Sequence, residues 1–406
     1  MNSGVHVNEA PAVQQSSDAS GADRWVGSGG STAADVEAAV DEAWTAAVGG
    51  REPGLVIVFC STAYELADVA AAVQTRAGGA PVIGCSTSGE VATDGPSESG
   101  LALWALGGDG FDVHTGAGQG SPDGLRSAAA EAAACIEGVP DALASVLVLL
   151  ADGLCGDQME VVRGAYGVAG AAVPLVGGCA GDDLAMQRTE QLHGDRVLHN
   201  AVVAAAIGSN APVGIGVAHG WATVGEPMLV TESEGVTVVS LDDRPALDAY
   251  LDGYDAPADV RDDAEQFVRF AMVRPLGIKR RDRTEIRYVA GADFEQRTLT
   301  CIAEVPQGAA AHLMQGDADT VLEATDEACR SALDALDGRP PIGMLLFDCV
   351  ARRSVLEDTG IRKEVDRVSV ASGGKPVAGF YTYGEIARTK GAGGFHNQTL
   401  VVVAFA

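Results

Sequence analysis

Two short segments of the chain carry glycine, hydroxyl and acidic residues in the same order, and those residue types could bind a small ionic ligand. Residues 81–90 read PVIGCSTSGE and residues 376–385 read PVAGFYTYGE, so both fit the pattern P-x-x-G-x-x-x-x-G-E. A looser third copy, residues 174–183, reads PLVGGCAGDD, with the acid on aspartate. Glycine lets the backbone approach a ligand closely, and consecutive N–H groups of such a turn can bind a carboxylate or a phosphate.

An amino acid needs an anion cradle, an acid for its ammonium group and an apolar or aromatic wall, and the three turns offer all of these. The alternative is that the glycines and the acid form only a recurring structural turn. On the first interpretation we predict ligand contacts at Cys85, Ser86, Thr87, Ser88, Gly89, Glu90, Asp182, Asp183, Tyr381, Tyr383, Gly384 and Glu385.

Four further residues near strand ends are candidates for the same site. Arg352 follows Cys349 and could bind a carboxylate with both guanidinium nitrogens, with a surface ion pair as an equal alternative. His396 and Asn397 open a strand-like run that resembles the one after His199. Such histidines more often hold loop backbone than a ligand.

Cys179 lies in a G-x-C-x-G segment after a predicted strand, which is the shape of a nucleophile elbow. The two sister turns do not keep this pattern, and spacing alone brings no base to the thiol. A Cys-dependent hydrolase or transferase therefore stays as the alternative to a non-enzymatic binding protein.

The turns recur within a larger repeated unit. Strand-like apolar runs at 55–60, 146–150 and 342–347 precede them, with helical stretches such as 64–76 and 158–168 between run and turn. A strand joined through a helix to another strand builds α/β sheets. We predict two associated halves of mixed sheets flanked by helices, made of repeated β-α-β units, with a tail at 1–23, one half at 24–220 and the other at 221–406.

The chain is strongly acidic, with 56 Asp and Glu against 27 Lys and Arg and a net charge of −29. Such a surface repels phosphate backbones and anionic headgroups, so neither nucleic acid nor a membrane is an expected partner. No signal-like start or bilayer-length apolar run is present, and eight scattered cysteines include no C-x-x-C pair. These features predict a cytoplasmic protein with reduced thiols and no metal site.

These segments together resemble the FIST family, a sensory module with N-terminal and C-terminal parts. The first part is matched by the turn at 81–90 and by residues 176–183. The second is matched by residues 241–250 (LDDRPALDAY), 274–277 (RPLG), 347–352 (FDCVAR), and 379–385 followed by 395–399 (FHNQT).

The resemblance implies sensing of a small ligand, for which amino acids or similar metabolites are the expected class. Many family members carry a fused output domain. This chain has no room for one, so a separate and unknown signalling partner is expected. A branch of the family is linked to haem and nitric oxide. We expect no cofactor here, with a haem-binding gas sensor as a further alternative.

Overall fold

The computed structural model describes residues 23–139, 142–279, 284–389 and 393–406. The predicted tail at 1–23 therefore lies outside the described residues except for its last position. Within these residues the chain forms three mixed sheets and one antiparallel sheet with helices packed on them, which confirms the predicted α/β fold class.

Two consecutive segments of the chain form units with the same order of elements. The first contains β1 (Trp25–Ser31), α1 (Val36–Val48), β2 (Leu55–Cys60), α2 (Leu66–Ala77), β3 (Val82–Ser86), β4 (Glu90–Ala92), β5 (Gly95–Ser97) and β6 (Leu101–Gly107). The second contains β7 (Phe111–Gln119), α3 (Leu125–Ala133), β8 (Ala144–Ala151), α4 (Gln158–Ala169), β9 (Leu175–Cys179), β10 (Gln191–His193), β11 (Arg196–Leu198) and β12 (Ala201–Ser209).

A third unit follows the same order but carries a long insertion after its first strand, β13 (Val213–Ala218). The insertion contains β14 (Ala222–Glu234), β15 (Thr237–Leu241), β16 (Arg244–Pro245), α5 (Ala246–Gly253), α6 (Ala264–Ala271), β17 (Leu276–Lys279), β18 (Thr284–Arg287), β19 (Val289–Asp293), β20 (Thr298–Cys301) and β21 (Ala310–Gln315). The unit resumes with α7 (Ala318–Asp334), β22 (Gly343–Cys349), α8 (Val350–Ala371), β23 (Val377–Thr382), β24 (Glu385–Arg388), β25 (Phe395–His396) and β26 (Leu400–Phe405).

The three units interlock by exchanging hairpins. Their sheets run β1-β6-β2-β3-β10-β11, β7-β12-β8-β9-β24-β25 and β13-β26-β22-β23-β4-β5. Each sheet thus takes its last two strands from another unit, and the donors follow one another cyclically. The predicted boundary near Gly220 falls between β13 and β14, and the third sheet contains strands from both sides of it.

The first glycine of the repeated turn pattern has a structural reason. Gly84, Gly177 and Gly379 lie on the parallel partner strands β3, β9 and β23. A Cβ atom there would lie 1.9–2.5 Å from a carbonyl oxygen of the neighbouring strand. Real Cβ atoms do not come that close, so glycine is required for the strands to pack.

The core of the protein lies between the inner faces of the three sheets. Phe59, Leu150 and Phe347 come from the central strands, and Phe380 stacks on Phe59 with ring centroids 5.0 Å apart. Helices α1 and α2, α3 and α4, and α7 and α8 cover the respective outer faces. The inserted sheet β18-β17-β21-β14-β15-β20-β19 has its own core with α5 and α6. This arrangement leaves the turns after β3, β9 and β23 at equivalent strand ends.

Candidate functional site

The acids that end two of the predicted turns occupy equivalent positions, and the third equivalent is a glutamine. Glu90 pairs with Phe380, Glu385 with Gly178, and Gln191 with Cys85. Each of these partners directly follows a repeated glycine. The pattern of the turns instead predicts the third acid at Asp182 or Asp183. An insertion of eight residues between β9 and β10 explains the error, because it moves the equivalent position to Gln191.

Glu90 and Glu385 are buried, and the chain itself satisfies their oxygens. Glu385 accepts hydrogen bonds from the Thr382 hydroxyl (2.6 Å) and from the backbone N–H and hydroxyl of Thr399 (3.0 and 2.8 Å). Glu90 accepts the matching bond from Gly100 N at 3.0 Å, with further donors in Thr87 and Ser97. Each carboxylate therefore joins its turn to the start of the last strand of its unit, rather than facing a ligand as we predicted.

Burial raises the pKa of both Glu90 and Glu385 to about 7, although the hydrogen bonds that they accept act in the opposite direction. Gln191 makes the equivalent contact without a charge, since its Oε1 accepts from Ala201 N at 3.3 Å. The hydrogen bond between the turn and the start of the last strand therefore forms in the second unit without a charged side chain.

The hydroxyl residues of the first turn also hold other parts of the chain. The Ser86 hydroxyl oxygen accepts from Glu190 N (2.9 Å), and that of Ser88 accepts from Asp183 N (3.1 Å). Gly89 has a φ of 108°, in a region that favours glycine. Cys85 is fully buried, and burial raises the pKa of its thiol. These residues fix the loop after β9 to the first turn.

Arg352 is not free to bind a ligand. It is fully buried, and it donates to Asp348 (2.6 Å), to Glu364 (2.5 Å) and to the Thr325 hydroxyl (3.1 Å). Burial and the neighbouring Glu364 raise the pKa of Asp348 above its usual range. The predicted clamp and the surface ion pair are both replaced by a buried ionic cluster between β22, α8 and α7. The adjacent Arg353 reaches the turns instead, with its guanidinium 2.5 Å from Ser88 O.

The repeat of histidine and asparagine is one residue out of register. Val202 and Leu400 face equivalent strand residues, so Asn397, rather than His396, corresponds to His199. His396 is buried with its Nε2 3.0 Å from a backbone carbonyl.

The thiol of Cys179 is buried, with its Sγ 3.4 Å from Oε1 of Gln158. Burial raises the pKa of Cys179, which disfavours the thiolate that a nucleophile needs.

The loop between β9 and β10 is held by a network of hydrogen bonds centred on Asp182. Asp182 accepts bonds from the N–H groups of three residues that follow it and from the Tyr383 hydroxyl, which also accepts from Leu184 N. Burial acts to raise the pKa of Asp182, but these donors hold it below its usual value. Asp183, Leu184 and Met186 have φ between 54° and 65°. The network therefore supports left-handed backbone at non-glycine residues.

Beside this loop lies a cavity of about 350 Å³ between the repeated core and the inserted sheet. Its wall is mainly apolar, and Leu184, Met186 and Ile302 are exposed large hydrophobic residues. Asn397 is 2% exposed, and its Oδ1 has no hydrogen-bond partner in the described part of the chain. The lining residues are Gly153, Leu184, Met186, Met272, Tyr288, Ala290, Ile302, Cys349, Val350, Ala351, Ser354, Tyr383 and Asn397.

The structure brings three predicted residues, Cys349, Tyr383 and Asn397, to this cavity. The inserted segment between β13 and α7 supplies Met272, Tyr288, Ala290 and Ile302, which sequence reasoning missed. The only signal for them is that the matched segment 274–277 begins two residues after Met272. The other predicted residues are in the turns, the buried cluster or the loop beside the cavity, except His396, which lies on β25.

The cavity offers neither a histidine nor a favoured thiolate as an axial ligand for haem iron. Its lining residues include no histidine. The pKa of the Cys349 thiol is raised by burial and by nearby Glu385, so a thiolate ligand is disfavoured as well. The apolar wall instead suits a small organic molecule held by a few polar contacts.

The chain is a mixed α/β protein with a mainly apolar cavity at the junction of two sheet systems. Family models for the FIST N domain and the FIST C domain match residues 54–244 and 246–388. The chain belongs to the FIST family, as the sequence motifs predicted. FIST domains are sensory domains of signalling proteins.

Two similar proteins come from Mycobacterium tuberculosis, the uncharacterized proteins MT0656 of strain CDC 1551 / Oshkosh and Rv0628c of strain H37Rv. Each is 26% identical over 398 residues, covering 94% of this chain and 99% of the relative. A crystal structure of cyanuric acid hydrolase from A. caulinodans covers 95% of this chain and 100% of its own at 10% identity, with a TM-score of 0.36. Within the described residues, no helix has the length and apolarity needed to cross a bilayer.

Proposed function

We propose that this protein is a non-enzymatic cytoplasmic sensor that binds an amino acid or a similar metabolite in the cavity beside Asn397. The observation that carries the proposal is Asn397, a buried residue in the wall of this mainly apolar cavity, whose Oδ1 has no hydrogen-bond partner among the described residues. An unpaired buried acceptor is costly unless another molecule supplies a donor. A bound ligand would supply it, with the signal passing to a separate protein.

The size and position of the cavity support a ligand of this class. Its volume of about 350 Å³ lies at the lower end of the range for small-molecule sites, about 300–1,000 Å³. Such sites are often found where two structural parts meet, with an apolar wall and a few polar groups. Here the wall is shared by the inserted segment, the loop after β9 and the start of α8.

The cavity wall offers a route from occupancy to a change of shape. Val350 and Ser354 belong to the first turns of α8, and Glu357 interrupts that helix with φ 52° and ψ 179°. The inserted part is joined to the turn before β26 by Gln398, whose amide donates to Met272 O at 2.6 Å. A ligand in the cavity would contact both α8 and the inserted segment. Binding could therefore change their relative position, and a sensor requires such a coupling.

Binding is a better proposal than Cys-dependent catalysis. Of the described cysteines, Cys349 alone lines the cavity. Burial and the nearby Glu385 raise the pKa of its thiol, so the thiolate is disfavoured. A nucleophilic cysteine needs an accessible thiolate. Cys179, the elbow candidate, is fully buried outside the cavity.

The test is a thermal-shift screen with the amino acids and related metabolites on wild type and two variants. Ser354→Trp places a large ring at the cavity from an exposed helical position, whereas Val370→Trp adds the same ring to an exposed position further along α8. We expect a compound that stabilises wild type and Val370→Trp but not Ser354→Trp. Equal shifts in all three proteins would place binding elsewhere and overturn the proposal.

A further inference from the structure

The cavity opens toward a groove with an unequal distribution of charge. Leu184, Val350 and Ser354 line both the cavity and this groove. Beyond them the groove is bordered by an acidic cluster, defined here as Glu98, Asp183, Glu357 and Asp358, together with Arg353 and Ile361. Four carboxylates therefore face one guanidinium at the mouth of the cavity.

That guanidinium is already engaged. Arg353 lies 2.6 Å from Glu98 and 3.6 Å from Asp183, and it donates to Ser88 O. Its guanidinium also lies 5.6 Å from the centre of the Tyr381 ring. Arg362 borders a neighbouring groove with Arg353 and Asp358 rather than this one. Arg353 consequently has little capacity to attract a ligand carboxylate, while Glu357 and Asp358 form no ion pair within the described part of the chain.

The interior of the cavity has the opposite character to its mouth. No Lys, Arg, Asp or Glu lines it, so a charged group of a ligand would be poorly solvated there. The unpartnered Oδ1 of Asn397 can accept one hydrogen bond from a neutral donor. The interior thus suits an apolar body with one N–H or O–H group, and any charge belongs at the mouth.

We propose that the ligand is an apolar amine: its ammonium group lies among the acidic cluster, its apolar body fills the cavity, and a neutral donor at its inner end bonds to Asn397. This inference rests on the proposed ligand-binding role of the cavity. A net charge of −29 further raises the local concentration of cations at the protein surface. An α-carboxylate beside the ammonium would face the same carboxylates, so a zwitterionic amino acid binds less tightly than the matching amine.

Three indole compounds test the charge preference directly, because they share a ring with an N–H donor and differ in the head group. Calorimetry on the full chain compares tryptamine, tryptophan and indole-3-propionate, which carry a cation, a zwitterion and an anion. We expect tryptamine to bind at least ten times more tightly than tryptophan, with indole-3-propionate weakest. Asp183→Asn should lower the tryptamine affinity about fivefold or more. Glu131→Gln, which removes one charge from an exposed position on α3, should leave it unchanged.

Equal or tighter binding of the zwitterion or the anion overturns the amine assignment, and so does the absence of binding by all three compounds. Neither result argues against a ligand site in the cavity, because the Ser354→Trp and Val370→Trp variants test that site separately. Loss of affinity in Glu131→Gln equal to that in Asp183→Asn would show that only the overall charge matters, which also overturns the proposal. Asn397→Leu should weaken tryptamine without changing the order of the three compounds.

Discussion

Replacing Glu385 with glutamine should change how the stability of the protein depends on pH. Glu385 is fully buried, and its folded-state pKa is about 7, against an ordinary value of 4.5. Between these two values the folded protein holds a proton that the unfolded chain releases. The free energy of unfolding therefore falls as pH rises from about 4.5 to 7 and levels off above that.

The size of the effect follows from the difference in pKa. A pKa difference of about 2.5 corresponds to a loss of about 3 kcal/mol in the free energy of unfolding of wild type across this pH range. Glu385→Gln does not undergo this loss, because glutamine does not ionise. The glutamine Oε1 can accept from Thr399, and its amide can donate to the Thr382 hydroxyl. Gln191 does the same in the second unit, accepting from Ala201 N and donating to Thr189 at 3.5 Å.

The assay is urea unfolding of both proteins at several pH values between 4.5 and 8.5. The stability of Glu385→Gln minus that of wild type should become more positive by about 3 kcal/mol over this range. Parallel curves would refute the assignment of a buried, titrating Glu385. Glu90→Gln should behave alike, since burial raises the pKa of Glu90 to about 7 as well.

Three further substitutions test other parts of the account. Arg352→Met strands Asp348 and Glu364 in the core, so urea unfolding should show a loss of about 3–5 kcal/mol; a loss below about 1 kcal/mol would contradict the buried cluster. Tyr383→Phe removes the hydroxyl that donates to Asp182, so the free energy of unfolding should fall by about 1–3 kcal/mol and ligand binding should weaken. Unchanged ligand affinity would show that this loop does not contribute to the site. Cys179→Ala should leave affinity, measured by calorimetry, within about tenfold, and a larger loss would revive a role for this thiol.

The sequence predicted the repeated elements well because their causes are local. The apolar run at 55–60 predicts β2 at its observed bounds, and the helical stretch at 158–168 predicts α4 to within one residue. The glycine of each turn was also visible, because a close approach between parallel strands tolerates no side chain. FIST membership followed from the same segments.

The functional site was harder to predict because it depends on contacts between distant segments. The turn acids looked like ligand contacts, and only the hydrogen bonds from Thr399 and Gly100 reveal their structural role. Arg352 and Arg353 are adjacent in sequence but opposite in environment, since one turns into the α7–α8 interface and the other toward the groove. The residues of the inserted sheet carry no motif that marks a cavity wall.

Native mass spectrometry tests the central claim most directly, with the strongest stabiliser from the thermal-shift screen added to wild type, Ser354→Trp and Val370→Trp. A ligand in the cavity beside Asn397 predicts one bound molecule per chain in wild type and Val370→Trp, and its loss from Ser354→Trp. A bound molecule retained by Ser354→Trp at the same ligand concentration would contradict the account.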